Sequence, residues 1–199
     1  MAADQLRVVP GIALAIACAF GVARAEDVSR DPGESDLGFA KRVLQLAGGA
    51  DAHVTAADWN GVPSLFVDYQ TSGEDPERPI VALQRQASGQ YRAIQVTVGE
   101  QEGGTPDIVA LGLANADRDP AKELIVILAW PQSHYDVNGT FYEVRIFDDR
   151  KPGQASLRLL KISRKFGSAC DCTWRDGTSK RFRFKTIAAV KAELARLGY

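Results

Sequence analysis

The sequence predicts an α+β fold, mainly antiparallel β-sheet in two related meanders flanked by an N-terminal and a C-terminal helix. Three observations carry this expectation. Short runs rich in Val, Ile, Leu and aromatics follow one another between residues 64 and 185, separated by Gly, Pro, Asn and Asp. No connection between these runs is long enough to hold the crossover helix of a parallel sheet. Amphipathic helical periods stand before the first run and after the last.

The first helix is expected from Asp36 to about Ala47. Ser35 can cap it, Leu37, Ala40, Leu44 and Ala47 share one face, and Gly48-Gly49 stops it. Strands are expected at 64–69, 79–85, 91–98, 107–113, 123–130, 140–147, 156–163, 169–174 and 179–185. Asp176-Gly177 reads as a tight hairpin between the last two, and Asn138-Gly139 as another turn. In 180–185 Phe182 and Phe184 alternate with basic residues, which predicts one dry and one wet face. A second helix starts at a Thr186 cap, carries Ile187, Val190, Leu194 and Leu197 in one stripe, and ends at Gly198. Both apolar faces are narrow, so each helix should lie on something flat.

The N-terminus reads as an export signal. A near-continuous apolar run from Val8 to Val22 is followed by Ala23-Arg24-Ala25, a small-x-small pattern that places cleavage before Glu26. The run falls short of the ~20 apolar residues of a comfortable membrane span, and no later stretch replaces it. Ala15-Ile16-Ala17-Cys18 lacks the leucine that a lipoprotein signal carries three positions before its cysteine. The expectation is a cleaved leader (1–25) and one domain (26–199), located in the periplasm or secreted. Cys170 and Cys172 are then the cysteines of the mature chain. An oxidising compartment permits a disulfide between them if the backbone turns or bulges locally, and two free thiols are the alternative.

The whole chain has 24 Lys+Arg against 25 Asp+Glu. So even a balance excludes bulk attraction to nucleic acid or anionic membrane. The charge is unevenly spread, however: residues 158–185 hold nine basic and two acidic side chains. This is either one basic patch or a set of ordinary solvated faces.

An internal repeat is visible. Ala57-Asp-Trp-Asn-Gly-Val-Pro-Ser-Leu65-Phe-Val aligns without a gap on Ala116-Asp-Arg-Asp-Pro-Ala-Lys-Glu-Leu124-Ile-Val, 59 residues later. The second copy, Asn115-Ala-Asp117-Arg-Asp119-Pro-Ala-Lys-Glu123 running into an apolar strand, resembles the FG-GAP or VCBS repeat of integrin-type propellers. That resemblance implies a calcium loop with Asn115, Asp117, Asp119 and Glu123 as side-chain ligands and a carbonyl from Ala121. Two departures stand against it: Asn115 replaces an acid, and Pro120 occupies the place of a turn glycine. The first copy has Ser64 in place of the last acid and is expected to bind nothing. Without an ion, the same residues form a turn whose Asx side chains bond their own backbone. The family implies, as one alternative, a calcium-stabilised structural or adhesion module.

Signs of catalysis are sparse. The sequence contains no Gly-x-Ser-x-Gly, no His-Glu-x-x-His, no phosphate loop and no dinucleotide fingerprint. His53 has no acid or nucleophile at a telling spacing. His134 and Asp136 are the pair a small hydrolase would use, but near-neighbours in sequence are poorly placed for a relay. The segment 130–142 suits recognition better. Trp130, His134, Tyr135 and Asp136 offer contact area on a loop, unless Trp130 and Tyr142 end their strands in the core. Lys180, Arg181 and Arg183 would add a basic wet face. The leading expectation is an exported, non-enzymatic protein-binding module, in its most concrete form an inhibitor or immunity protein against an envelope-acting toxin or hydrolase.

Overall fold

The computed structural model describes residues 27–101, 103–151 and 153–199, so the expected leader and Cys18 lie outside the described residues. The element order is α1 (Asp36–Val43), β1 (Ala52–Trp59), β2 (Val62–Tyr69), β3 (Arg78–Arg85), β4 (Tyr91–Gly99), β5 (Asp107–Ala114), β6 (Glu123–Ser133), β7 (Val137–Phe147), α2 (Ser163–Phe166), β8 (Ser168–Trp174) and α3 (Ile187–Leu197). The strands form two antiparallel four-stranded meanders, β1-β2-β3-β4 and β5-β6-β7-β8. The α+β, mainly antiparallel expectation therefore holds. Among the described residues no helix is long and apolar enough to cross a membrane.

The two sheets face each other. Trp59, Phe66, Ile80, Ala82, Ile94 and Val96 of the first meet Leu124, Val126, Leu128 and Trp130 of the second in one buried core. Strand alternation sends the neighbouring residues outward, where each sheet needs a second cover. Leu65, Val67, Val81 and Leu83 receive it from Phe39 and Ala40 of α1. Ile125, Ile127, Val144 and Ile146 receive it from Val190 and Leu194 of α3, together with Phe166, Phe182 and Phe184. The result is a four-layer stack of helix, sheet, sheet and helix. β6 runs through its middle and is buried without a break from Glu123 to Trp130, which is why its sequence lacks alternation.

The ends of the helices follow from local chemistry. Ser35 Oγ accepts from Gly38 N at 3.1 Å, and Thr186 Oγ1 from Ala189 N at 3.2 Å. α1 stops four residues before the expected Ala47. Gln45 adopts a left-handed φ of 53°, its N–H bonding Arg42 O and that of Leu46 bonding Lys41 O, the paired bonds of a Schellman stop. α3 approaches β5 at Gly112, where an added Cβ would lie 2.5 Å from Ile187 Cγ2.

Four expectations need correction. β1 was not expected: Ala-His-Val-Thr-Ala-Ala-Asp-Trp is alanine-rich, and as an edge strand it buries little of its length. Residues 156–163 are not a strand. They cross between the sheets, with Leu157 N bonding Gln95 O and Leu160 N bonding Ile146 O, because β8 already occupies β7 over residues 137–143. Residues 179–185 leave their hairpin after the Thr173–Ser179 bridge and the Cys172–Lys180 bonds, and carry Phe182 and Phe184 into the outer core. Asn138-Gly139 lies inside β7, paired with Thr173 and Cys172; the turn is at 134–137, where His134 N bonds Val137 O.

Candidate metal centre and partner surface

The acidic loop lies between β5 and β6 and turns on its own Asx side chains. Asp117 Oδ1 accepts from Asp119 N at 2.8 Å and Asp119 Oδ1 from Ala121 N at 2.8 Å, two Asx turns in succession. They carry the chain round despite Pro120. Asn115 Nδ2 donates to Asp119 O at 2.7 Å, leaving its own Oδ1 buried without a hydrogen-bond partner. Asp117 and Asp119 each approach Glu123, in two separate sets, and Asn115 is bonded to the Asp119 carbonyl.

Glu123 is the unusual member. It is 0% exposed; one carboxylate oxygen takes the amide of Ala116, and the other, Oε1, has no hydrogen-bond partner. Burial, together with the charges of Asp117 and Asp119, pushes its pKa up to about 7. Two further acids complete the group. Leu124 pairs with Phe147 in the β6–β7 ladder, so the next step of that ladder sets Asp148 beside Glu123. Oxygens of Asp117, Glu123 and Asp148 lie within 4.8 Å of one another, as do those of Asp119, Glu123 and Asp149. Sequence reading missed Asp148 and Asp149. Their position directly after the strand expected at 140–147 was the available signal, once β6 and β7 were paired.

An all-oxygen donor set of this kind fits a hard divalent cation of calcium's chemistry. The buried Glu123 Oε1 is the observation that tests the fit. A carboxylate oxygen removed from water without a partner is costly, and a cation beside it would satisfy that oxygen.

The other end of the second sheet, roughly 30 Å away along β6, holds the residues expected to meet a partner, and the structure divides them. Trp130 is 1% exposed, packed in the core, with its Nε1 donating to Glu100 O at 2.9 Å; it offers the surface nothing. Tyr135 is 82% exposed at the hairpin tip, between exposed His134 and Asp136, and the Arg175 guanidinium lies 4.2 Å from its ring centre. Among the described residues no hydrogen bond joins His134 to Asp136, the pair considered for a hydrolase. Lys180 stands 5.8 Å from the ring of Trp174. Arg181 and Arg183 are exposed but committed, Arg181 to Asp171 at 2.9 Å and Arg183 to Glu193 at 3.0 Å. Two of the three basic residues expected on this face are thus paired with acids within the chain. Trp174 and Arg175 belong to this end and were not singled out from the sequence.

Cys170 and Cys172 are joined in a disulfide on β8, with Cα atoms 5.2 Å apart. His53 Nδ1 lies 3.3 Å from Asp68 Oδ1, which the buried Arg78 also binds at 2.7 Å. Arg78 binds Asp51 at 2.6 Å as well and holds its carboxyl below the usual range, so these charges pair with one another.

No protein family, curated protein or solved structure was found to match this chain.

Proposed function

We propose that this chain is a non-enzymatic, calcium-stabilised module, exported on its leader, whose acidic end holds one divalent cation through Asp119, Glu123 and neighbouring carboxylates. One observation carries the reading: the fully buried Glu123 carboxylate has a free oxygen amid four other acids. The ion would be structural, satisfying the free oxygen of Glu123 where β5, β6 and β7 meet.

The test is thermal unfolding in calcium and in chelator. A ligand that binds only the native state stabilises it by ~2.7 kcal/mol at 100 times its Kd, a rise of about 5–10 °C for a domain of this size. Glu123→Gln should abolish the calcium-dependent rise and raise the melting temperature of the chelated protein, because it removes a buried repelling charge. An identical melt in calcium and chelator would sink the reading.

A second reading is favoured by Tyr135, whose ring is held out at the hairpin tip with Arg175 stacked on it. An exposed aromatic stiffened by a cation is a hot-spot arrangement. It suits a protein partner, in its most concrete form an envelope hydrolase or toxin that this module inhibits. Retention of one stoichiometric partner from envelope extract, lost on Tyr135→Ala, is the expected outcome. Retention unchanged by that substitution would remove the tip from consideration.

A further inference from the structure

The acids of the candidate metal centre form two sets that share Glu123, and a different tethered cation sits on each. Asp148 is 4% exposed and binds Arg158, its Oδ2 taking Nε at 3.1 Å and Nη2 at 2.5 Å while its amide bonds Arg158 O at 2.9 Å. The Arg158 side chain is 64% exposed, but it gives two donors to this one oxygen and its main chain is tied to the Asp148 amide. On the other set, Lys151 Nζ contacts Asp149 Oδ1 and lies 3.5 Å from Asp119 Oδ2. The Lys151 side chain is 49% exposed. A single ammonium on a flexible stem leaves its partners more readily than a guanidinium that gives two donors to one oxygen.

The acids of the Asp119 set keep oxygens for an ion. Asp119 uses Oδ1 for the amide of Ala121 and turns Oδ2 towards Lys151, and Glu123 keeps Oε1 free. The lysine ammonium thus stands among the oxygens that a divalent cation would take. Two cations cannot share that position without strong repulsion.

Resting on the calcium reading above, we propose that Lys151 is a tethered counter-cation of this site. A divalent cation enters the Asp119–Glu123–Asp149 position by displacing its Nζ. Asp149 then becomes a ligand supplied from the end of β7, outside the acidic loop, while Asp148 stays with Arg158. The device keeps the acid group compensated when free cation is scarce and sets the affinity lower than the ligand count alone would give. It also makes the connection after β7 sensitive to the ion, because Lys151 N bonds Gln154 Oε1 at 2.9 Å in that same segment.

Calorimetric titration of the protein with calcium chloride tests this. Lys151→Met should tighten calcium binding by about two- to fivefold, the worth of a partly exposed ion pair that no longer competes. Asp149→Asn should weaken it at least about tenfold. In a lysine-directed NMR titration of the unaltered protein, the Lys151 Nζ signal should move as calcium binds. Calcium binding by the unaltered protein with equal or weaker binding by Lys151→Met, or an unmoved Nζ signal, overturns the displacement proposal and leaves the calcium reading standing. No binding by either protein at millimolar calcium overturns both.

Discussion

The side-chain amide of Asn60 clasps the backbone of Lys122. Its Nδ2 donates to Lys122 O at 3.1 Å while its Oδ1 accepts from Lys122 N at 2.9 Å, and Trp59 Nε1 adds a 2.6 Å bond to the same carbonyl. Asn60 belongs to the first copy of the internal repeat and Lys122 to the second. Each copy enters the second strand of its own meander, and Ser64 and Glu123, equivalent in the repeat, are both buried. The repeat is therefore joined to itself. The first copy, without the last acid, braces the loop in which the second gathers its carboxylates.

That clasp can be removed without straining the turn. Asn60 and Gly61 have φ of 55° and 80°, so Asn60→Gly keeps the left-handed backbone and deletes only the side-chain bonds. The expected cost is about 1–2 kcal/mol. Asn60→Ala should cost roughly 1 kcal/mol more, for a Cβ in the left-handed region. Urea unfolding of the three proteins checks both steps, and equal stability of Asn60→Gly and the unaltered protein would mean the clasp contributes nothing.

The approach of α3 to the second sheet makes an independent prediction. Gly112→Ala would bring a methyl within 2.5 Å of Ile187 Cγ2, an overpacking expected to cost about 1–3 kcal/mol. Ile187→Ala alone should also destabilise, but the double variant should recover part of the loss. A double-mutant cycle reads this directly, and strictly additive losses would argue against the close approach.

The sequence revealed most where local chemistry decides and least where pairing across the fold decides. The caps at Ser35 and Thr186 and the long apolar run of β6 are local and were legible. Two Asn-Gly pairs carry the same turn signal, yet Asn60-Gly61 makes the hairpin and Asn138-Gly139 runs straight through β7. The difference lies in what stands opposite: an added Cβ at Gly139 would lie 2.3 Å from Asp171 O, so that glycine serves close packing with β8. Gln45 ends α1 in a conformation usually left to glycine. Of the acidic group, the loop half was legible from its spacing. Asp148 and Asp149 became visible only through the β6–β7 register.

Trp130 and Tyr135, five residues apart, should respond in opposite ways. Trp130→Ala empties a core site and strips Glu100 O of its partner, with an expected loss of about 3–5 kcal/mol. Tyr135→Ala removes an exposed ring and should stay within about 0.5 kcal/mol. Denaturant midpoints separate the two. A marked loss for Tyr135→Ala would show that its stack with Arg175 anchors the hairpin rather than presenting a surface.

Acid should loosen the segment that carries Phe182 and Phe184. Asp171 on β8 holds Lys185, and Arg181 beside it, and these partners keep its carboxyl below the usual value near 3.8. A depressed carboxyl favours the ionised form in the native state. Its contribution is therefore complete above about pH 4 and is lost as pH falls through the lower native value. Asp171→Asn should reduce stability at pH 7 and, because nothing is left there to titrate, flatten part of the decline below pH 4. Other lowered carboxyls carry the rest of that decline, among them Asp27, Glu34, Asp51 and Glu193 beside arginine partners and Asp176 bonded by Thr178. Urea midpoints of both proteins between pH 7 and pH 2.5 measure the difference. An unchanged acid slope in Asp171→Asn would mean that the pair of cations does not pin this segment, and that burial of the two phenylalanines alone holds it on the sheet.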